Sequence, residues 1–86
     1  MFATVVGKSR LDFTDKRDGK RIVGWQIFVT YPDDNVEGSK ADKVFISDEL
    51  GIQLPDFEFG TVYEFQYESV GFGRRAKNRL VGVKAA

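Results

Sequence analysis

The chain is short and balanced in charge: it has 86 residues, 30% of them charged, and a formal net charge of zero. Such a length builds one domain around one core, so we assign residues 1–86 to a single domain. No apolar run approaches the roughly 20 residues of a membrane-spanning helix, and Met1 to Arg10 lacks the pattern of a cleavable signal. We therefore expect a soluble, cytoplasmic protein without a membrane partner.

Histidine and cysteine are both absent. This excludes disulfide frameworks, thiol nucleophiles, zinc fingers and the usual general base. Asp33, Asp34 and Asn35 offer oxygen ligands, but their spacing matches no calcium loop, and solvated loop acids are the simpler interpretation. We expect no enzymatic activity, no cofactor and no metal site. A small core without disulfide or metal has little stability, so homodimerisation is a reasonable way to bury more apolar surface.

The first half of the chain predicts two strands joined by a hairpin. Residues 3–6 form a β-branched run, and from Ile22 to Tyr31 apolar residues recur at every second position. Period-two alternation is typical of a strand with one buried face. Between these segments, Asp18-Gly19 suits the positive backbone dihedrals of a tight turn. We expect an exposed, basic hairpin over residues 12–21.

The second half predicts three further strands. It comprises, in order, a polar loop over 31–39, a strand over 43–47, one helical turn within 48–54, a strand over 61–67, a turn over 71–74 and a last strand over 79–83. In the strand over 61–67, the aromatic residues Tyr63, Phe65 and Tyr67 share one face, which we expect to face the core.

About five short strands, with no helical periodicity and no internal repeat, predict an all-β fold. Two architectures fit: a small five-stranded antiparallel barrel of the OB type, and an SH3-like barrel. OB-type barrels bind strands of nucleic acid on one open face, although a fold does not by itself establish a function.

Charge is distributed unevenly along the chain. Residues 1–24 carry a balance of +3, residues 25–69 a balance of −8, and residues 70–86 a balance of +5 with no acid at all. Chance segregation in a short chain is one explanation. The other is that two basic ends provide the clustered cations that phosphates require, while the acidic middle faces away from them.

The segment from Gly71 to Arg79 combines an aromatic residue with several cations. Phe72 stands between two glycines at a turn, where the side chain is hard to bury and should project. Base stacking on an exposed ring contributes roughly 1–3 kcal/mol per base, and nearby cations contact phosphates. The cations concerned are Arg74, Arg75, Lys77 and Arg79. The alternative is that Phe72 packs on a neighbouring subunit or on its own barrel.

The hairpin from Lys16 to Arg21 is the second candidate, as a finger that contacts phosphates. Its candidate residues are Arg17, Lys20 and Arg21. The alternative is a merely solvated hairpin tip, because basic residues also protect such tips against edge pairing. Trp25 and Tyr31 are candidate stacking residues, with a core or rim position as the alternative for Trp25.

These residues resemble the gene V type single-stranded DNA-binding proteins of filamentous bacteriophages. Phe72-Gly73 is followed by Arg79-Leu80 at the same interval as in that family, and Asp18-Gly19-Lys20 matches a Gly-Lys pair in its DNA-binding wing. Leu54-Pro55 and the segment 60–63 resemble the approach to the strand before the phenylalanine loop.

The resemblance implies a five-stranded OB-like barrel that forms a two-fold dimer and coats single strands cooperatively in phage replication and packaging. It implies that Phe72 lies near the dyad and presents its ring to DNA bound by the partner subunit. Arg79 would contact phosphate, and Lys20 with Arg17 or Arg21 would belong to the wing. The family's stacking tyrosine in the wing has no counterpart here, and Trp25 and Tyr31 are the nearest aromatic residues.

The sequence therefore predicts a homodimeric, sequence-tolerant single-stranded DNA-binding protein in the cytoplasm of a bacterial or phage-infected host cell. The predicted nucleic-acid-binding residues are Arg17, Lys20, Arg21, Trp25, Tyr31, Phe72, Arg74, Arg75, Lys77 and Arg79. A small β-barrel adaptor for another protein is the alternative, and RNA is a possible ligand because stacking and phosphate contacts serve both polymers.

Overall fold

The structure is a computed structural model that describes residues 1–86, except for the side chain of Arg75. Its strands are β1 (Phe2–Thr14), β2 (Arg21–Pro32), β3 (Ser39–Ser47), β4 (Thr61–Val70) and β5 (Lys77–Ala85). Single 3-10 turns occur over Asp48–Leu50 and Gly73–Arg75. The predicted all-β class with five antiparallel strands is confirmed. Within the described chain, no helix is long and apolar enough to cross a membrane.

All five strands belong to one antiparallel sheet in the order β3-β2-β1-β4-β5. β1 is the central strand and divides its length between two neighbours. It pairs with β2 from Thr4 to Thr14, but with β4 only from Phe2 to Val5. The register shifts between Val5 and Gly7, which marks a bulge, and bulges bend a strand and increase its twist. The sheet therefore curves around its core.

The inward face of the curved sheet carries the core. Its buried residues are Ala3, Val5, Ile27, Val29, Ile46, Tyr63, Phe65, Leu80 and Val83. Phe57, from the segment before β4, packs edge-on against the ring of Tyr63 at a centroid distance of 5.0 Å. The hydroxyl of Tyr63 accepts a hydrogen bond from the backbone N–H of Glu58 at 2.7 Å. Tyr63 and Phe65 are therefore buried, as the alternation in β4 predicts, whereas Tyr67 follows a register shift between Gln66 and Tyr67 and is 41% exposed.

The sheet is not closed into the predicted barrel, because β3 and β5 are its two edges. Closure would require these strands to pair with each other. The segment 48–54 lies between them instead. Ile52 lines a cavity of about 200 Å³ with Trp25 and Ile46, and a cavity of about 330 Å³ with Leu80 and Val81. Ile52 and Leu54 of this segment pack against the core, so the segment separates the two edge strands.

Candidate nucleic-acid interface

Two aspartates build the turn between β1 and β2. The carboxylate of Asp15 accepts a hydrogen bond from the backbone N–H of Arg17 at 2.8 Å, and that of Asp18 accepts one from the N–H of Lys20 at 2.9 Å. Gly19 has a φ of 72°, which a glycine adopts without strain, and donates to the carbonyl of Asp15 at 2.9 Å. The two acids thus bind the backbone of the turn.

The basic side chains of this turn are exposed. We call Lys16, Arg17 and Lys20 the wing cations. Among the described side chains, no ion pair joins any of the three to an acid. Arg21 differs, because its guanidinium donates two hydrogen bonds to the carboxylate of Asp12, at 2.9 and 2.7 Å. These hydrogen bonds hold the pKa of Asp12 below its ordinary value of 3.8.

Phe72 lies in the turn between β4 and β5, and its side chain is 93% exposed. Gly71 and Gly73 have φ values of 94° and 54°, so the chain bends sharply on each side of the ring. The prediction that Phe72 projects from its turn is confirmed. The ring of Phe72 is therefore accessible for contact with a ligand or with another subunit.

The cations around Phe72 are of two kinds. Arg74 and Lys77 are exposed, and in the part of the chain whose side chains are described no ion pair reaches either of them. Arg79 of β5 forms a salt bridge with Glu68, its neighbour on β4. The side chain of Arg75, a predicted phosphate contact, lies outside the described residues.

Trp25 lies on the inward face of β2 and is half-buried. The Nζ of Lys8 is 4.4 Å from the ring centroid, and the guanidinium carbon of Arg10 is 5.1 Å from it. Two cations of β1 therefore pack against the ring. Arg10 also binds Asp48 through two hydrogen bonds, at 2.9 and 2.5 Å. This arrangement favours a packing role for Trp25 over that of an open stacking platform.

Tyr31 also lies on the inward side of β2, half-buried against the core. Its hydroxyl donates a hydrogen bond to the carboxylate of Asp42 at 3.4 Å. Tyr67 of β4 faces the same carboxylate. Burial raises the pKa of Tyr67, and the charge of Asp42 raises it further. Tyr31 therefore helps to cover one end of the core, between β3 and β4.

Three phenylalanines that are not among the predicted binding residues lie on the opposite, outward face of β1, β2 and β3, and one of them, Phe13, is expected from the sequence to be a core or rim residue. Phe13 is 49% exposed, Phe28 37% and Phe45 40%. The strand register places all three on the same side of the sheet. We call them the outward aromatic face. The solvent side of an antiparallel sheet is ordinarily polar, so three exposed aromatic residues on it make this face a candidate binding surface.

A signal in the sequence could have identified two of these residues. Phe28 stands between Ile27 and Val29, and Phe45 stands between Val44 and Ile46. The neighbours of a strand residue share the face opposite to its own. When both neighbours are apolar and belong to the core, the aromatic residue between them points to solvent.

The two basic regions, the wing and the Phe72 turn, lie at different ends of the sheet, as the strand register shows. The wing lies beyond the pair Thr14↔Arg21, where the β1–β2 ladder ends. The Phe72 turn lies beyond the pair Val70↔Lys77, on the part of β4 that continues past the first residue of β1. The two regions thus extend from opposite ends of β1. One subunit brings together the wing and the outward aromatic face, and it leaves Phe72 apart from both.

The chain has no match among family models, curated proteins or solved structures. Within the described residues, no three acidic, histidine or cysteine side chains gather closely enough to hold a metal ion. In the loop between β2 and β3, the carboxylate of Asp33 accepts the backbone N–H of Asn35 at 2.8 Å and so shapes a turn. The surface chemistry described above is therefore the basis on which a function can be inferred.

Proposed function

We propose that the protein binds single-stranded DNA with little sequence preference and coats the strand as a homodimer. Such a site needs aromatic platforms for bases and cations for phosphates. The proposed platforms are Phe13, Phe28, Phe45 and Phe72, and the proposed phosphate contacts are Lys16, Arg17, Lys20, Arg21, Arg74, Lys77 and Arg79. The resemblance to gene V type proteins supports the same function and indicates phage replication as its setting.

The observation that carries the proposal is that the outward aromatic face begins where the wing ends. Phe13 pairs with Ile22, which is the next pair along from Thr14↔Arg21 at the base of the wing. Phe28 and Phe45 are diagonal neighbours on β2 and β3, a relation that places their Cα atoms roughly 7–8 Å apart. A strand held by its phosphates at the wing can therefore lay its bases on these rings.

The placement of the acids supports the same path. Asp33, Asp34 and Glu37 lie in the loop after Pro32, at the end of β2 away from the wing. Near the wing, Asp12 is paired with Arg21. Farther along β1, Arg10 is paired with Asp48 of the 3-10 turn. The unpaired charges next to the outward aromatic face are therefore mostly positive, as a polyanion requires.

Phe72 fits the proposal through the dimer. Because it lies at the far end of β1 from the wing, one subunit does not bring Phe72 to a strand bound at its own wing, and the resemblance to gene V type proteins assigns this ring to DNA bound by the partner subunit. Arg21 and Arg79 form salt bridges with Asp12 and Glu68 in the free protein. On binding DNA, each guanidinium leaves its carboxylate and contacts a phosphate instead. Trp25 and Tyr31 support the sheet from its inward face and do not stack on bases in this arrangement.

Titration of a fluorescently labelled oligo-dT with the Phe45→Ala variant tests the proposal. Stacking contributes roughly 1–3 kcal/mol per base, so the dissociation constant should rise about 5- to 150-fold. The matched control is Val81→Ala, because Val81 is 44% exposed but lies on β5, outside the proposed path. Equal affinities for Phe45→Ala and the wild type, with both variants folded, would remove the outward aromatic face from the site.

A small adaptor for another protein is the second candidate, favoured by the two edge strands. β3 and β5 each have one side without a partner strand within the described sheet, and such edges can accept a strand from another chain. Salt separates the candidates. Strand binding should weaken steeply as salt rises, whereas an apolar protein contact should hold. RNA shares the chemistry of DNA binding and is separated by titration with oligo-U.

A further inference from the structure

A second exposed apolar surface lies on the outward side of the β1–β4 ladder. Phe2 is 61% exposed and Val62 is 42% exposed, and both alternate with buried residues of their strands. Val6 and Phe59, at 48% and 57% exposure, flank them. We call Phe2, Val6, Phe59 and Val62 the β1–β4 patch.

The backbone brings the members of this patch together. Phe2 pairs with Glu64, and Thr4 pairs with Val62, so the outward positions of β1 and β4 adjoin. The turn that carries Phe59 is tied to β1, because the N–H of Gly60 donates to the carbonyl of Val5 at 2.8 Å. Val6 is the next residue of β1 and lies at the bulge between Val5 and Gly7. The four apolar side chains thus border one continuous region of surface.

The charges around the β1–β4 patch differ from those around the outward aromatic face. Glu64 and Lys84 adjoin it and pair with each other at 3.6 Å. Glu58, in the turn beside Phe59, adds a further acid. Lys84 is thus paired with Glu64, and the N-terminal ammonium of Met1, beside Phe2, donates a hydrogen bond to the backbone carbonyl of Phe65 at 2.9 Å. The patch therefore lacks the clustered cations that a polyanion requires, and it suits an apolar partner surface instead.

We infer that this patch is the surface on which a second copy of the chain docks. A two-fold dimer places the same surface on both sides, so the surface must be complementary to itself. Apolar side chains meet apolar side chains, and Glu64 of each copy can pair with Lys84 of the other across the axis. Face-to-face packing of two sheets buries outward side chains in this way. The inference deepens the proposed function and rests on its dimer.

The size of the patch agrees with this occupant. At about 150–250 Å² for an aromatic side chain, the exposed fractions of Phe2 and Phe59, 61% and 57%, amount to roughly 180–300 Å². Val6 and Val62 enlarge this area. A standard interface covers about 800 Å² per partner, of which a little over half is apolar. The two rings therefore supply roughly half of the apolar area of such an interface, and Val6, Val62 and the polar border contribute to the rest.

Sedimentation velocity over a range of protein concentrations tests the inference with a matched pair of variants. Val62→Lys places two like charges near the axis and should raise the dimer dissociation constant at least tenfold. Val81→Lys adds the same charge at the same exposure, 44% against 42%, on the other strand of the same hairpin, and should leave it unchanged. Circular dichroism checks folding, and Phe2→Ser replaces Val62→Lys if that variant does not fold.

Binding to labelled poly-dT, measured on the same samples, keeps this inference distinct from the proposed function. A wild-type monomer at 100 μM, or a Val62→Lys dimer as tight as the wild type, would overturn the inference even if DNA binds. A dimer that Val62→Lys dissociates and Val81→Lys does not would support it, even if no DNA binds. Loss of the dimer in Val81→Lys alone would place the interface on β5.

Discussion

The ring of Phe72 is exposed to solvent because glycine stands on each side of it. The chain bends at both glycines, and neither has a side chain against which the ring could pack. Trp25 shows the opposite case. Its strand alternates regularly, and its ring lies on the inward face beneath Lys8 and Arg10. The difference between these two aromatic residues is therefore one of backbone geometry rather than of side-chain chemistry.

We expect Phe72→Ala to weaken binding to poly-dT about 5- to 150-fold, because one stacking interaction contributes roughly 1–3 kcal/mol. The melting temperature should not change, since the side chain is 93% exposed. Leu50→Ala is the control, because Leu50 is 44% exposed on the 3-10 turn outside the proposed site. Unchanged affinity together with a weakened dimer would make Phe72 an interface residue only.

The pair formed by Arg10 and Asp48 gives a prediction about pH. Hydrogen bonds from Arg10 hold the pKa of Asp48 below its ordinary value of 3.8. The stability that the pair contributes is therefore present above that value and is lost as pH falls through the lower, folded-state pKa. Arg10→Gln should raise the pKa of Asp48, measured by NMR titration of its carboxyl carbon. Arg17→Gln should leave it unchanged, and an equal shift in both variants would contradict the assignment.

At the scale of elements, β2 and β3 approach each other closely at Gly24. A Cβ at Gly24 would lie 2.8 Å from two ring atoms of Phe45 and would also collide with the carbonyl oxygen of Ile46. Backbone cannot move aside as a flexible side chain can. Phe45 therefore keeps its place on the outward face because Gly24 leaves room beneath it.

Gly24→Ala should lower the free energy of unfolding by about 1–3 kcal/mol, the usual range for overpacking. Urea denaturation measures this change. Gly82→Ala is the matched control: it is also a strand glycine, but its Cβ would meet only the side-chain oxygen of Gln66, at 3.0 Å. A loss of stability in Gly82→Ala as large as in Gly24→Ala would show that the close approach is not the cause.

The number and order of the strands were predictable, because the sequence of each one contains a β-branched run or an alternation of apolar and polar residues. Their lengths were not. β1 extends to Thr14, well past the predicted residues 3–6, because Lys8, Arg10 and Asp12 are polar residues on a ladder that the sequence alone does not show. The prediction of a closed barrel was wrong because Ile52 lies between β3 and β5. That position depends on tertiary packing, which the local sequence does not show.

The candidate site was predictable where local chemistry decides it. The exposure of Phe72 follows from its flanking glycines, and the wing follows from Asp18-Gly19. Arg21 and Arg79 were predicted as cations but not as members of ion pairs, because their acidic partners are 9 and 11 residues away in sequence and meet them only across a ladder.

For the molecule as a whole, the curved, open sheet presents two outward apolar surfaces with different charge. The outward aromatic face adjoins three unpaired cations of the wing, whereas the β1–β4 patch adjoins the pair of Glu64 and Lys84. The bulge between Val5 and Gly7 lies between the two surfaces. We propose that one of these surfaces binds a strand of nucleic acid and that the other binds a second copy of the chain.

Titration of labelled poly-dT with the purified wild-type protein, at low and at moderate salt and beside a duplex of the same length, tests the central claim most directly. We expect tight binding to the single strand and little to the duplex. The affinity should fall steeply with salt, since the logarithm of the binding constant for single strands decreases with a slope of about −0.7 per phosphate contacted. Absence of binding to poly-dT even at low salt would contradict the account.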